Sequence, residues 1–229
     1  VKSKRLVIAI DGPVGAGKST AARRLAAALG YVYIDTGAMY RAFGWKAVSE
    51  GVDLQSREGL AELAARTDIR FQPGAVGPRI LVDGADVTEL LRTPRMDEAA
   101  SLVSVWPEVR ERLVALQRAM AGVGGVVMDG RDIGTVVLPG ADLKFYLDAD
   151  PEVRAARRLR DLERSGVSAD LAAVRGEVLR RDSRDSSRSA SPLRPAPDAL
   201  RIDSSRLDAD AVLALMLREA ARRSRADNS

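Results

Sequence analysis

A short strand, a glycine turn and a helix occupy the first thirty residues, and no other feature restricts the fold as much. "RLVIAID" (5–11) is nearly all apolar and β-branched, the composition of a parallel strand covered on both faces. "GPVGAGKS" (12–19) matches GxxxxGK[ST], and "KSTAARRLAAALG" (18–30) sets Ala and Leu at helical spacing up to a glycine stop. Glycines let the backbone curl until successive N–H groups point inward at phosphate oxygens, and the following helix adds the partial positive charge of its N-terminus. Gly12, Pro13, Val14, Gly15, Ala16, Gly17, Lys18, Ser19 and Thr20 are therefore expected to hold nucleotide phosphates. Lys18 would reach the β/γ-phosphates, the Ser19 hydroxyl would bind Mg²⁺, and Thr20 would add a hydroxyl contact.

The rest of the chain supplies a sheet for this loop. "YVYID" (31–35) reads as a second strand, and "GAMYRAFGWKAVSEG" (37–51) and "REGLAELAART" (57–67) read as helices. Near residue 67 the pattern changes: "DIRFQ", "PRILVDG" and "ADVTEL" alternate like antiparallel strands, with Asp83-Gly84 as a hairpin signal. Within this piece "FQPGAVGPR" has only weak strand character. "TPRMDEAASLVSV" and "WPEVRERLVALQRAMA" return to helical spacing, with Pro94 and Pro107 near their starts. "GGVVMDG" and "DLKFYLDA" are buried-type strands, "PEVRAARRLRDLERSG" and "ADLAAVRGEVLRRDSR" basic helices. "ALRIDSS" is a last strand, and "DADAVLALMLREAARRS" a closing helix before a polar tail. Alternating strands and helices predict a three-layer α/β fold with a mainly parallel sheet and a small antiparallel insert at one edge. No internal repeat or long linker divides the 229 residues, so one domain is expected.

Composition removes whole classes of chemistry. The chain has no His, so no imidazole base, His-ligated zinc or Ser-His-Asp triad exists. It has no Cys, which excludes disulfides and thiolate metal sites and suits a reducing compartment. No apolar run reaches membrane-spanning length, and "VKSKRLVIAIDG" is too short and too soon polar for a signal peptide, so a cytoplasmic chain without a membrane partner is expected. The formal net charge is +4, and Arg far outnumbers Lys, which favours bidentate recognition of phosphate. No guanine-reading NKxD element follows the loop, which favours a small-molecule kinase over a GTPase. The basic balance also leaves open an RNA-binding NTPase, whose affinity would fall steeply with salt, although no aromatic strand motif for RNA is present. A catalytically idle nucleotide sensor is the third possibility.

Three further stretches combine Arg with hydrogen-bonding partners: "DTGAMYR" (35–41), "DGRDIGTVV" (129–137) and "RRDSRDSSR" (180–188). The last is either a solvated linker or a segment built to hold something strongly negative. Each follows or ends a regular element, so in a doubly wound fold they belong at the carboxyl edge of the strands. Together with "IDGPVGAGKST", the "DG-x-D-V-T" hairpin followed by "RTP", "AAS…PEVR" and "DGRDIGTVVLPGADLKFYL", they make the chain resemble the bacterial cytidylate kinases of the nucleoside monophosphate kinase family, from about Leu6 to the final helix.

The resemblance implies a P-loop kinase fold in which 1–35, 109–150 and 166–229 form the core. Residues 36–108 would be the monophosphate-binding lobe with its insert near 67–88, and 151–165 the lid. It implies Mg²⁺-dependent phosphorylation of CMP and dCMP by ATP, by a monomer without nucleic-acid partners. Thr36 and Arg41 would lie near the acceptor phosphate with Arg131 and Arg188, the latter two and Lys18 being catalytic. Ser101, Arg110 and Asp132 would read the cytosine edge, Arg181 and Asp185 would hold the sugar hydroxyls, and Tyr40 would flank the site. Asp129 ends an apolar strand and is placed like an acid that orients Mg²⁺ water, the alternative being a role only in the outer shell. Arg154, Arg157 and Arg158 would belong to the ATP-facing lid, against the plainer reading of a solvated helix face. Thr36 stands where relatives use Ser, which keeps the hydroxyl.

Overall fold

The computed structural model describes residues 4–72, 74, 78–122, 124–188 and 190–226; the middle of "FQPGAVGPR" and the last residues of the polar tail lie outside the described residues. In chain order the elements are β1 (Val7–Asp11), α1 (Lys18–Leu29), β2 (Val32–Asp35), α2 (Thr36–Ser49), α3 (Arg57–Arg66), β3 (Ile69–Gln72), β4 (Arg79–Val82) and β5 (Ala85–Asp86). They continue with α4 (Pro94–Val103), α5 (Pro107–Ala121), β6 (Val126–Gly130), β7 (Leu143–Asp148), α6 (Pro151–Arg164), α7 (Leu171–Ser187), β8 (Leu200–Asp203) and α8 (Ala209–Ala226). Two compact units result: Val1–Tyr33 with Ala121–Ser229, and Ile34–Met120.

A five-stranded sheet of order β2-β6-β1-β7-β8 organises the first unit. β1 runs parallel to β6 and β7, and β7 parallel to β8. Its central place explains the apolar run: Ile8, Ala9 and Ile10 are all fully buried, so both faces of the strand are covered. Leu25 of α1, Phe145 of β7 and Met216 of α8 close the core around them. In register, Asp11 lies opposite Gly130 of β6 and Tyr146 of β7, so these strands deliver their following loops to one edge. α6 and α7 pack together and are cross-linked by Arg175–Glu152 (2.5 Å) and Arg154–Asp182 (2.7 Å).

The second unit joins four helices to an antiparallel sheet of order β3-β4-β5. Asp35, Ser56 and Thr93 cap α2, α3 and α4 with their side chains, and Pro94 opens α4. α2 crosses α4 at Gly44, where a Cβ would fall 3.0 Å from that of Ala99. Met39, Phe43, Leu60, Leu63, Ile80 and Leu113 form the core, with Trp45 and Trp106 packed against it. Val82 and Ala85 pair across a two-residue turn in which Asp83 and Gly84 both take positive φ, as a type I′ hairpin requires.

"ADVTEL" departs from the expected strand. Only Ala85–Asp86 pairs, and Thr88–Leu90 is a 3-10 turn. The Asp86 carboxylate accepts from both the N–H (3.1 Å) and the hydroxyl (2.6 Å) of Thr88, which bends the chain, and the Thr88 hydroxyl accepts from Ile80 N–H (2.9 Å). Among the described residues no helix is long and apolar enough to cross a membrane.

Candidate active site

The phosphate loop lies tight against its neighbours. Gly12 has φ +148°, and a Cβ there would sit 1.9 Å from the Leu147 carbonyl oxygen; at Gly15, φ +76°, it would sit 2.7 Å from that of Arg154. A side chain at either position would push the loop off β7 and α6. Two loop carbonyls are turned outward: Val14 accepts from Arg154 Nη1 (3.2 Å), and Ala16 from the Ser204 hydroxyl (3.1 Å). Thr20 lies exposed on the first turn of α1.

Lys18 is buried and donates to the Pro13 carbonyl (2.6 Å). Burial pushes its ammonium well below the usual lysine range; Arg131 adds to that and Asp129 opposes it. An anion entering the loop would favour the charged form, so the site suits a phosphate. The Ser19 hydroxyl donates to Asp129 Oδ2 (2.8 Å) and the Tyr33 hydroxyl to Oδ1 (2.9 Å). One hydroxyl and one carboxylate fit Mg²⁺, which takes few protein ligands and completes its shell with phosphate oxygens and water. Among the described residues no cluster of three or more acidic side chains offers a separate metal cage.

Within "RRDSRDSSR" Arg188 turns inward, whereas Arg180 is exposed. α7 runs helical through Ser187, and Asp185 on its last turns is buried. Asp185 accepts from Arg131 Nε (2.8 Å) and pairs with Arg188 through its other oxygen. Burial pushes the Asp185 carboxyl up, but the charges of Arg131, Arg188 and Arg181 outweigh it and hold it down to about 2. Arg188 Nε is buried with no hydrogen-bond partner among the described residues, as suits a donor awaiting a ligand oxygen. Asp132, also buried, precedes a π-helical turn over Ile133–Val137, in which Leu138 N–H reaches the Ile133 carbonyl (2.7 Å).

The basic face of α6 is engaged rather than solvated. Arg154, 4% exposed, donates to the Ala149 carbonyl (2.8 Å) and the Val14 carbonyl and pairs with Asp182. Arg157 donates to the hydroxyl (2.9 Å) and carbonyl (2.6 Å) of Ser204, and Arg158 lies 3.9 Å from Glu177.

In the second unit the candidate side chains stand on helices. Thr36 opens α2 and is buried. Arg41 donates to Asp35 (3.1 Å) and lies 3.5 Å from Asp97, so two carboxylates fix its guanidinium. Arg110 is buried on α5, with its guanidinium 5.7 Å from the centre of the Tyr40 ring and 3.4 Å from the Ser104 carbonyl. Ser101 is buried on α4, and its carbonyl accepts from the Ser104 hydroxyl (2.9 Å).

Sequence reasoning assigned no role to Asp11, Asp35, Asp97 or Ser204. Asp11 accepts from the backbone N–H groups of Ile133 and Gly134, both at 2.7 Å. The signals were faint: an acid ending an apolar strand, and an Asp just ahead of a helix.

A parallel sheet whose first strand feeds a glycine loop with Lys18, Ser19 and Asp129 at its mouth defines a phosphate-loop nucleotide-binding protein. The solved gluconokinase from Sinorhizobium meliloti 1021 shares this fold, with TM-score 0.52 and 15% identity over 98% of this chain and 96% of that one. The family model described as cytidylate kinase matches residues 8–222. The chain is 53% identical over 211 residues to a cytidylate kinase of Pelotomaculum thermopropionicum, covering 92% of this chain and 93% of the relative. A cytidylate kinase of Desulfitobacterium hafniense is 50% identical over 210 residues, covering 92% of this chain and 90% of its own. This chain belongs to the cytidylate kinase family.

Proposed function

We propose that the protein transfers a phosphoryl group from ATP to CMP and dCMP, giving CDP and dCDP, with Mg²⁺, as part of pyrimidine nucleotide metabolism. The observation that carries this reading is the buried Arg131–Asp185–Arg188 cluster, in the same unit as a complete phosphate loop. Phosphoryl transfer joins two polyanions, and its demands are positioning and charge neutralisation. When bound, Mg·ATP supplies the phosphoryl group and a leaving group whose charge the metal neutralises.

The chain's residues do the rest. Backbone N–H groups of the loop and Lys18 hold the phosphates, and Ser19 and Asp129 hold Mg²⁺, the latter directly or through water. Arg131 and Arg188 neutralise charge on the group in transfer, and Asp185 keeps their guanidinium planes in place. Arg181 and Asp185 take the sugar hydroxyls. Thr36 and Arg41 bind the acceptor phosphate, with Tyr40 beside them. Ser101 and Arg110 donate to the acceptors of the cytosine ring, and Asp132 accepts from its exocyclic amine. Arg154, Arg157 and Arg158 exchange their present partners for ATP as the lid closes and water is excluded. The acceptor phosphate is already ionised at neutral pH, so a chain without His lacks nothing the reaction needs. We read the protein as a cytoplasmic monomer acting on free nucleotides, with neither nucleic acid nor membrane as partner.

Phosphorus NMR of the protein with Mg·ATP and CMP tests the reading. Equal amounts of CDP and ADP are expected; ADP without CDP would overturn it.

A further inference from the structure

An acid directly ahead of a phosphate loop is a poor choice for binding phosphate, because its charge repels the ligand. Asp11 stands there, 3% exposed at the end of β1. Each of its oxygens is taken by a backbone N–H outside the loop. Oδ1 accepts from Ile133 N–H and Oδ2 from Gly134 N–H, each at 2.7 Å. These are the first two N–H groups of the π-helical turn, which have no acceptor within the turn itself. Asp11 thus caps, from another strand, a turn of rare geometry. The fit is close: a Cβ on Gly134 would fall 3.4 Å from Asp11 Oδ2 and 3.0 Å from Lys144 Cδ. Arg131 and Asp132 are the two residues immediately before this turn, so the bidentate cap holds the backbone that carries them.

We propose that Asp11 is a positioning residue for nucleotide selection, anchoring the 133–134 backbone so that Asp132 meets the cytosine amine and Arg131 the phosphate. The proposal rests on the reading of Asp132 as the amine acceptor. Asp11→Asn keeps the shape but turns an amide N–H₂ toward one of the two N–H donors. A shifted turn should harm recognition of the acceptor and spare that of ATP.

The test is steady-state kinetics of Asp11→Asn, Gly134→Ala and Asp132→Ala with CMP, UMP and ATP varied in turn. Gly134→Ala crowds the same turn against the Lys144 side chain while leaving the Asp11 carboxylate in place, and it carries the test alone if Asp11→Asn does not fold. For both turn variants, the ratio of kcat/KM for CMP to that for UMP should fall about tenfold or more, with KM for ATP within about twofold of wild type. Equal losses for CMP and UMP, or a matching rise in KM for ATP, would overturn the positioning role and leave Asp11 a structural cap. If Asp132→Ala alone leaves the CMP/UMP ratio unchanged, the amine-reading role fails and takes this proposal with it.

Discussion

In the first unit, phosphate-binding capacity is built from backbone: glycines at positive φ, the start of α1, and carbonyls turned outward onto Arg154 and Ser204. In the second, the candidate contacts are side chains on ordinary capped helices, such as Ser101 on α4 and Arg110 on α5. A backbone cradle requires glycine at fixed spacing, so it tolerates little change and is spelled out in the sequence. Helix-borne contacts need only the right residue on the right face, and the same residues elsewhere would be unremarked surface or core. The cations differ as well. Arg131 and Arg188 share one buried carboxylate, whereas Arg41 is held between two partly exposed ones.

The largest effects should come from removing charge in the first unit. Lys18→Ala and Arg188→Ala should each lower kcat by about 10³-fold or more at saturating substrates. Near wild-type turnover of Arg188→Ala would remove it from the transition state. Backbone substitutions sharpen the contrast between the units. Gly12→Ala, with its carbonyl clash, should cost about 2–4 kcal/mol in urea unfolding and abolish ATP binding. Gly44→Ala, where helices can shift by a few tenths of an ångström, should cost about 1–2 kcal/mol and leave KM for ATP unchanged. Ser101→Ala and Arg110→Ala should raise KM for CMP by about 10–100-fold without changing KM for ATP, and Arg110→Lys should not rescue the loss. A parallel rise in both KM values would erase the proposed division of labour.

The smallest effects concern pH, and two buried acids act with opposite sign. Burial pushes Asp11 up to about 7, against its two N–H donors and Lys18, with Asp132 adding to the rise. Asp11 therefore contributes stability that is complete below the ordinary value of 3.8 and is lost as pH rises through 7. Asp185, held down to about 2, contributes stability present above 3.8 and lost as pH falls through 2. In thermal melts, Asp11→Asn should flatten the decline in Tm between about pH 4 and 7, and Asp185→Asn the decline below about pH 4. An unchanged slope in Asp11→Asn would mean that Asp11 is ionised throughout.

The sequence made the first unit legible because its chemistry is written contiguously: "VIAIDGPVGAGKS" carries strand, loop and helix start together, and "RRDSRDSSR" holds both Asp185 and Arg188. The hairpin was legible for the same reason, since Asp83-Gly84 is a local signal. "ADVTEL" misled because alternation cannot reveal that the Asp86 carboxylate takes both donors of Thr88 and ends the strand. Asp11 went unassigned because its partners lie 122 and 123 residues away. Arg154 stayed undecided between lid and solvated face because charge spacing on a helix does not tell whether Asp182 and the Val14 carbonyl will cover it.

The most direct test of the account is acceptor-dependent ADP release from Mg·ATP with CMP, dCMP, UMP, AMP, GMP and no acceptor. Fast turnover confined to CMP and dCMP is the expected result. Equal rates with UMP would contradict the amine-reading role of Asp132, and turnover independent of any acceptor would contradict the kinase reading itself.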